Sequence, residues 1–276
     1  MPKQERMAPI LSNAIERKRE EIDRGVYEPT DNSSLRPNKS YEVRDFLRTL
    51  RESQAPVQLV ALIQRGTPLP DDVDFRLGIE PTITEYERQG AAAVGIWADS
   101  EFGFALEDVP TVRGTSRSSL LAMDFVIDEA QVVGLRARGA DAILLITSML
   151  PGNQLNDLYQ SVIRKGMTPF VEVGNERDVS RALELNPAVI GIHNRDLHTM
   201  KIDLGITGRL IDRVPEGVQV ISEGGFNSGE DVRRVQATVK GRPFAVLAGT
   251  SILQNEDLEG VARKVQELTL MDGCHE

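Results

Sequence analysis

Short apolar segments alternate with amphipathic segments along most of the chain. The apolar segments are hydrophobic almost throughout rather than at every second position, which is typical of parallel strands buried on both faces. We predict strands at residues 57–64, 91–97, 119–123, 141–147, 168–173, 188–192, 218–222 and 244–248. The pattern therefore indicates a parallel sheet that is covered on both sides.

The segments between the strands show helical periodicity. Residues 129–138, 176–185 and 229–239 place apolar side chains three and four positions apart and charges on the other face. Gly90 and Gly139 stand at helix-to-strand junctions, where glycine commonly ends a helix. Eight strands with helical connections predict an α/β fold, a (β/α)8 TIM barrel. The alternative, a doubly wound open sheet, would be unusually large with eight such units.

The N-terminal part of the chain differs from this alternation. An amphipathic helix is predicted at 10–24, a polar stretch at 27–40 and a short second helix near 43–51. Such a segment is too short to hold a core of its own. We therefore predict an N-terminal helical extension over residues 1–55 that packs on a barrel formed by residues 56–276.

Composition narrows the classes of function. The chain of 276 residues has 32 Lys and Arg against 42 Asp and Glu, a net charge of −10, which disfavours general nucleic-acid or anionic-membrane binding but permits a local phosphate pocket. Cys274, the single cysteine, excludes an intramolecular disulfide and a cysteine-type zinc site. No apolar run approaches the roughly 18 residues of a membrane span, and the N-terminus lacks a signal-peptide core. We expect a cytoplasmic protein.

In a barrel of this type, function is located where the strands end and the following loops begin. Two glycine-bearing turns, 222–225 and 248–251, follow the seventh and eighth predicted strands. Exposed N–H groups in these turns, with a helix beginning after them, would bind a phosphate; the alternative is that the glycines only permit tight turns. The candidate phosphate-binding residues are Gly224, Gly225, Gly249 and Thr250.

Two titratable side chains also fall at predicted strand ends. Glu172 ends an apolar strand, where a partly desolvated carboxyl group can act as a general acid or base, although a structural salt bridge with Arg195 is an alternative. His193 could transfer protons or only donate a hydrogen bond. No His, Asp or Glu set has metal-ligand spacing, and the glycine turns match neither a Walker loop nor a dinucleotide fingerprint, so no metal or cofactor is predicted.

Several segments, in order, resemble the indole-3-glycerol phosphate synthase family: ILSNAIERKREEI, YERQGAAAVGIWAD, DFVIDEAQVVGLRARGADAILLI, FVEVGNERDVSRAL, VIGIHNRDLHTMKIDL, VISEGGF and VLAGTSIL. The resemblance covers roughly residues 8 to 260, including the helical extension. It implies a barrel enzyme that converts a carboxyphenylamino-deoxyribulose phosphate to indole-3-glycerol phosphate. Ring closure, loss of carbon dioxide and loss of water occur without a metal or organic cofactor.

The chain departs from the family pattern at residues that carry its chemistry. Leu62 and Gln64 stand where the resemblance implies a functional Glu and Lys on the first strand. Met123 stands where it implies the Lys that protonates the ketone. His193 replaces an Asn and Gly224 replaces a Ser. In the first loop, residues 67–71 read Thr-Pro-Leu-Pro-Asp where the family has Ser-Pro-Ser-Lys-Gly.

Other family positions are retained. Glu172 stands at the position of the fifth-strand catalytic Glu, and Arg195 is kept. Phe102 and Phe125 stand where the resemblance implies aromatic contacts to the substrate ring. The phosphate turn is kept at Gly225, Gly249 and Thr250.

The missing lysines weaken the expectation of the family reaction. Neither Met123 nor Gln64 can donate a proton as an ammonium does, and general acid–base assistance is worth about 10²–10⁴-fold per group. Leu62 and Met123 also make the pocket more apolar, which favours a raised pKa for Glu172. A protonated Glu172 with His193 would form a new acid/base pair.

Three hypotheses follow. The first is a divergent enzyme with altered chemistry, which uses Glu172, His193 and Arg195 on a phosphorylated, aromatic or amino-sugar-like substrate and binds it also through Leu62, Gln64, Phe102, Met123 and Phe125. The second is a genuine synthase with substitute acid and base groups. The third is a non-catalytic homologue that binds a ligand or partner. For each we expect a phosphorylated small molecule as the partner, and a monomer or homodimer.

Overall fold

Eight parallel strands close into a barrel in the order β1 to β8 within residues 7–28, 41–67 and 75–271, which the computed structural model describes. Each strand pairs in parallel with its neighbours in sequence, and β1 pairs with β8 to close the ring. The prediction of a (β/α)8 TIM barrel is confirmed. The strands are β1 (Gln58–Ile63), β2 (Ala93–Trp97), β3 (Leu120–Met123), β4 (Ala142–Ile146), β5 (Thr168–Val173), β6 (Val189–His193), β7 (Gln219–Glu223) and β8 (Phe244–Ala248).

Two α-helices precede the first strand, and the others follow the strands of the barrel. The predicted helices at 129–138, 176–185 and 229–239 correspond to α5, α7 and α9 below. Gly90 and Gly139 have φ values of +89° and +102°, as expected of glycines that end helices. The helices are α1 (Pro9–Asp23), α2 (Phe46–Glu52), α3 (Ile79–Arg88), α4 (Val109–Thr115), α5 (Glu129–Ala137), α6 (Gln154–Arg164), α7 (Glu176–Leu183), α8 (Gly205–Ile211), α9 (Gly229–Thr238), α10 (Thr250–Leu253) and α11 (Leu258–Thr269).

Two strand ends differ from the prediction in a way that affects the site. Strands β6 and β7 each end one residue later than the hydropathy pattern indicates, and their last residues, His193 and Glu223, are paired in the ladder. The pattern stops at the first polar side chain, whereas backbone hydrogen bonding continues through it. Strand β4 ends earlier, at Ile146, because Thr147 begins a short 3₁₀ turn.

Helix α1 is attached to the barrel by a buried cluster of charges. The Lys18 side chain is 1% exposed, and its Nζ lies 2.7 Å from Asp124 Oδ1 and 2.8 Å from both Asp99 Oδ2 and Glu21 Oε2. Tyr27 Oη donates to Asp124 Oδ2 at 2.6 Å. Asp99 and Asp124 directly follow the ends of β2 and β3, so the extension contacts the same end of the barrel as the predicted site.

The second helix, α2, begins three residues later than predicted. The Asp45 side chain accepts a hydrogen bond from the backbone N–H of Arg48 and so caps a helix that starts at Phe46. The division between an extension over residues 1–55 and a barrel over 56–276 stays a prediction. Most of the predicted polar stretch, residues 29–40, lies outside the described residues.

Other sequence expectations also concern residues outside the described part of the chain. These include Cys274 and residues 68–71 of the first loop. Within the described residues, no helix has both the length and the apolar composition needed to cross a bilayer. No three His, Cys, Asp or Glu side chains of this part of the chain lie together as a metal site.

Candidate active site

A cavity of about 140 Å³ opens at the C-terminal ends of the strands. Predicted residues from β1, β3, β5, β6 and the turns after β7 and β8 meet there, as the TIM-barrel expectation requires. Those that line it are Leu62, Gln64, Phe102, Met123, Glu172, His193, Arg195, Gly224, Gly225, Gly249 and Thr250. Phe125 is buried and is not among the lining residues; its ring centroid lies 5.3 Å from that of Trp97, which does line the cavity.

Two carboxyl groups are buried in the cavity wall. Glu172 is 8% exposed and Glu223, at the end of β7, is 2% exposed. Burial raises the pKa of Glu172, and the charge of Asp178 acts in the same direction. Burial and the charge of Glu172 raise the pKa of Glu223 well above its usual value.

Glu223 occupies space that a glycine leaves open. A Cβ on Gly191 would lie 2.6 Å from Glu223 Oε1 and 2.5 Å from Cζ of Phe170. Gly191 pairs with Glu172 across the β5–β6 ladder, so the missing side chain lies between the two acidic strands. Oε1 of Glu223 is buried and has no hydrogen-bond partner among the described residues. The wall therefore contains a polar atom that is available for a hydrogen bond with a ligand.

His193 and Arg195 approach the cavity from the end of β6. The ladder pairs His193 with Glu223, not with Glu172, which is level with Gly191. Burial, followed by the charge of Arg195, lowers the pKa of His193 to about 4, so the imidazole is neutral near pH 7. Arg195 Nη1 donates to the carbonyl oxygen of Met200 at 3.2 Å, which holds the guanidinium beside the loop after β6.

The turn after β7 is formed by glycines in the left-handed region. Gly224 and Gly225 have φ values of +82° and +90°, a conformation that other residues rarely adopt. Asn194 Nδ2 donates to Gly224 O at 3.2 Å and to Ser222 Oγ at 3.0 Å, while Thr207 Oγ1 donates to Asn194 Oδ1 at 2.9 Å. This buried polar network fixes the path of the turn.

The turn after β8 is linked to its neighbours on both sides. Ser251 Oγ donates to Phe226 O at 2.6 Å, which connects it to the β7 turn. Gln64 Nε2 donates to Thr250 Oγ1 at 3.3 Å, which connects it to β1. A Cβ on Gly249 would lie 3.0 Å from Cβ of Leu62, so the backbone passes close to that side chain. Gly225, Gly249 and Thr250 thus meet along one side of the cavity.

Aromatic rings form another part of the cavity wall. Trp97 and Phe102 are stacked, with ring centroids 3.9 Å apart and planes 3° from parallel. Asp99 positions this pair, because its side chain accepts from the backbone N–H of Glu101 and caps the 3₁₀ turn that carries Phe102. Together with Leu62 and Met123, the rings make this side of the cavity apolar.

The predicted site residues did not include several residues that line the cavity, among them Glu223, Trp97 and Ile202. Glu223 has the same signal as Glu172, an acidic residue at the end of an apolar strand, and Trp97 ends the strand before Asp99. Ile202 had no such signal, because it approaches through a short antiparallel bridge with Arg195 that only the folded loop creates.

Comparisons with known proteins identify close relatives. The family model described as "Indole-3-glycerol phosphate synthase" matches residues 11–265. Indole-3-glycerol phosphate synthase of Bacillus cereus (strain ATCC 10987 / NRS 248) is 35% identical over 257 residues, covering 91% of this chain and 96% of that relative. The enzyme of the same name from Bacillus mycoides (strain KBAB4) is 34% identical over 261 residues, with the same coverage.

Solved structures share the fold at low sequence identity. The N-acetylmannosamine-6-phosphate 2-epimerase of Clostridium perfringens aligns with a TM-score of 0.57 and 13% identity, over 79% of this chain and 94% of that one. A designed cube-shaped protein cage built from fused oligomeric domains aligns with a TM-score of 0.56 and 16% identity, over 76% and 69%. These similarities support the fold alone.

Proposed function

This chain belongs to the indole-3-glycerol phosphate synthase family of carboxy-lyases, and we propose that it is a divergent member that acts on a phosphorylated substrate with altered chemistry. The observation that carries the proposal is the set of ionisable groups that line the cavity. Its described lining contains two buried carboxyl groups, Glu172 and Glu223, and a single guanidinium, Arg195. Gln64 and Met123 occupy the positions at which the family pattern implies lysines.

The phosphate end of the substrate is assigned to the turns after β7 and β8. Backbone N–H groups of Gly224, Gly225 and Gly249 and the hydroxyl of Thr250 border one part of the cavity. Phosphate sites at these two loops recur in TIM barrels. Positive φ values in the first turn allow the backbone to approach an anion without an intervening side chain.

Proton transfer is assigned to the buried acids and to His193. A carboxyl group with a raised pKa keeps its proton closer to neutral pH and can act as a general acid. His193, neutral near pH 7, can accept a proton or a hydrogen bond. Met123 has no proton to give, and the amide of Gln64 donates to Thr250.

The apolar wall is assigned to the rest of the substrate. Leu62, Met123, Trp97 and Phe102 offer contacts to an aromatic or aliphatic group, and the buried Phe125 ring packs near that of Trp97, with centroids 5.3 Å apart. A carboxylate on that group would meet no lysine among the described lining residues, whose one guanidinium is that of Arg195.

A second candidate is the ordinary indole-forming reaction. It is favoured by the identity of 33–35% to relatives named as synthases and by the retained Glu172 and phosphate turns. In this case a protonated Glu172 or Glu223 would replace the lysine as the acid. The third hypothesis, a non-catalytic homologue, predicts binding without turnover of any phosphorylated substrate.

The test compares the unmodified protein with a Gln64→Lys/Met123→Lys double variant, using carboxyphenylamino-deoxyribulose phosphate and indole fluorescence. We expect no turnover by the unmodified protein and measurable turnover by the variant, because the variant regains ammonium acids in an intact pocket. A Gln64→Lys/Met123→Leu variant is the matched control, since it lacks the acid on β3. Turnover by the unmodified protein would contradict altered chemistry and support the second candidate.

The phosphate site is tested separately by binding. Trp97 is the only tryptophan of the chain and lines the cavity, so its emission reports occupancy directly. We expect inorganic phosphate to change that emission in a saturable way. A Gly225→Ala variant should bind phosphate more weakly, because its Cβ would lie 2.3 Å from Cγ2 of Ile202 at a φ of +90°.

A further inference from the structure

The turn after β7 contains a peptide bond whose orientation its own residues do not determine. Gly224 and Gly225 have φ values of +82° and +90°, and neither has a Cβ that would favour one orientation of the peptide between them. This peptide is trans, so its C=O and N–H groups point in opposite directions. Backbone N–H groups bind anions, whereas a carbonyl oxygen repels them. Phosphate binding therefore requires one of the two orientations.

Asn194 holds the carbonyl side of this peptide. Its Nδ2 donates to Gly224 O at 3.2 Å. Asn194 follows β6 directly, is fully buried and does not line the cavity, whereas Gly225 does. Since the C=O of the peptide faces Asn194, the N–H of Gly225 points away from that side chain. Within the described residues this N–H donates to no protein acceptor, so it is available to a ligand.

A closed ring of hydrogen bonds fixes the Asn194 side chain itself. Nδ2 also donates to Ser222 Oγ at 3.0 Å, and Oδ1 accepts from Thr207 Oγ1 at 2.9 Å. Because the one hydroxyl hydrogen of Thr207 is given to Oδ1, Ser222 is the donor in the 2.6 Å contact between Ser222 and Thr207. All three side chains are fully buried. The amide therefore cannot exchange its oxygen and nitrogen without breaking the ring.

We infer that Asn194, held by Thr207 and Ser222, is a positioning residue that directs the Gly225 N–H toward the phosphate of the substrate. The inference rests on the proposed function, in which the turns after β7 and β8 bind that phosphate. Asn194 does not contact the phosphate and acts through the peptide of the turn. It excludes the orientation in which Gly224 O would face the anion.

The direct test observes the Gly225 amide resonance of the 15N-labelled full chain by NMR during a titration with inorganic phosphate. We expect its proton resonance to move downfield in a saturable way, because hydrogen bonds to charged acceptors are short and strong. The amide of Gly217, at the other end of β7, is the control and should not move. Phosphate binding that leaves the Gly225 resonance unmoved would overturn the inference. This measurement needs no variant, so it does not depend on whether a variant folds.

A first variant removes the donor that faces the turn. In Asn194→Ala the peptide can turn its carbonyl toward the cavity, and we expect phosphate affinity to fall at least about tenfold, as for the loss of one hydrogen bond to a charged group. Residual phosphate binding should no longer move the Gly225 resonance. A folded Asn194→Ala variant that binds phosphate as tightly as the unmodified protein contradicts the inference.

A second pair of variants tests the ring without touching the turn. Thr207→Val removes the hydroxyl that holds Asn194 Oδ1, and we expect it to weaken phosphate binding, whereas Thr207→Ser keeps a hydroxyl and should restore most of the affinity. Thr82→Val is the matched control, because it removes another fully buried hydroxyl, on α3, that has no partner among the described residues. Equal phosphate affinity of Thr207→Val and Thr82→Val would count against the ring.

The outcomes separate this inference from the proposed function. Phosphate binding that is insensitive to Asn194→Ala and Thr207→Val, or that leaves the Gly225 resonance unmoved, contradicts only the inference. Absence of phosphate binding by the unmodified protein contradicts the proposed phosphate site and, with it, the inference.

Discussion

The buried carboxyl group of Glu223 is a feature that selection for folding stability alone would not favour. Its carboxyl group is buried, and Oε1 has no partner in the described part of the chain; burial and the charge of Glu172 raise its pKa. Groups with such properties are concentrated at functional sites. Replacing residues of such sites commonly increases stability at the expense of activity.

Glu223→Gln should therefore stabilise the protein at high pH. The folded state keeps the Glu223 proton to a higher pH than the unfolded chain, whose Glu pKa is about 4.3, so stability falls as pH rises between the two values. We expect the variant to gain at least about 1 kcal/mol in the free energy of unfolding at pH 8 and little at pH 4. Denaturant unfolding at both pH values measures this.

Glu85→Gln is the control of opposite sign. Hydrogen bonds from Arg88 lower the pKa of Glu85, so the variant should lose stability at pH 8. A loss of stability at pH 8 in Glu223→Gln would show that the Glu223 carboxylate has a stabilising partner in solution, which contradicts the burial of Oε1 without a partner among the described residues.

At the scale of elements, the β5–β6–β7 part of the barrel places the two acids together. Gly191 on β6 provides the space between β5 and β7, and Phe170 on β5 fills the remainder. Without a side chain at residue 191, Glu223 can extend into the barrel rather than lie against its neighbour. The site therefore depends on a residue that has no functional group.

Gly191→Ala should destabilise the barrel and displace Glu223. Its Cβ would lie 2.5 Å from Cζ of the buried Phe170 ring, a contact that requires both side chains to shift. Overpacking of this kind costs about 1–3 kcal/mol, measured by denaturant unfolding. Gly217→Ala is the control, since a Cβ there meets no atom within 4 Å and should leave stability nearly unchanged. Equal stability of the two variants would contradict the packing argument.

At the scale of the whole molecule, the buried charge cluster joins the N-terminal helix to the open end of the barrel. Lys18 bridges Asp99 and Asp124, which follow β2 and β3. Asp124 lies between Met123 and Phe125 in the sequence, and Asp99 caps the turn that carries Phe102. The extension thus contributes to the position of the aromatic wall.

Lys18→Met should destabilise the protein strongly. Removing the cation leaves Asp99 and Asp124 buried with less compensation, and breaking a buried ion pair costs about 3–5 kcal/mol. Thermal and denaturant unfolding measure the loss of stability. Phe102 should also become less ordered, and the emission of Trp97, which is stacked on it, reports this change. Arg19→Met, an exposed neighbour on α1, is the control. A loss below about 1 kcal/mol would show that the cluster does not hold the helix.

The amino-acid sequence alone was sufficient to predict the barrel and most of the residues at its mouth. Continuous apolar runs separated by amphipathic helices leave few alternatives to a closed parallel sheet, and a closed barrel brings all its strand ends to one face. That rule brought residues as distant in sequence as Gln64 and Thr250 into one candidate site, and they are hydrogen-bonded.

Only the tertiary structure determines which side chains meet in the cavity and how deeply their ionisable groups are buried. The register between strands determines that Glu223 is buried, that Gly191 leaves space for it and that His193 pairs with it. The hydropathy pattern does not encode this register, because the apolar run that marks a strand ends at the first polar residue. Phe125, predicted as a contact to the substrate ring, is not among the lining residues, and its ring centroid lies 5.3 Å from that of Trp97. Ile202 reaches the cavity through a loop bridge whose local sequence has no strand pattern. The sequence specifies which chemical groups are available, and long-range packing specifies which of them meet.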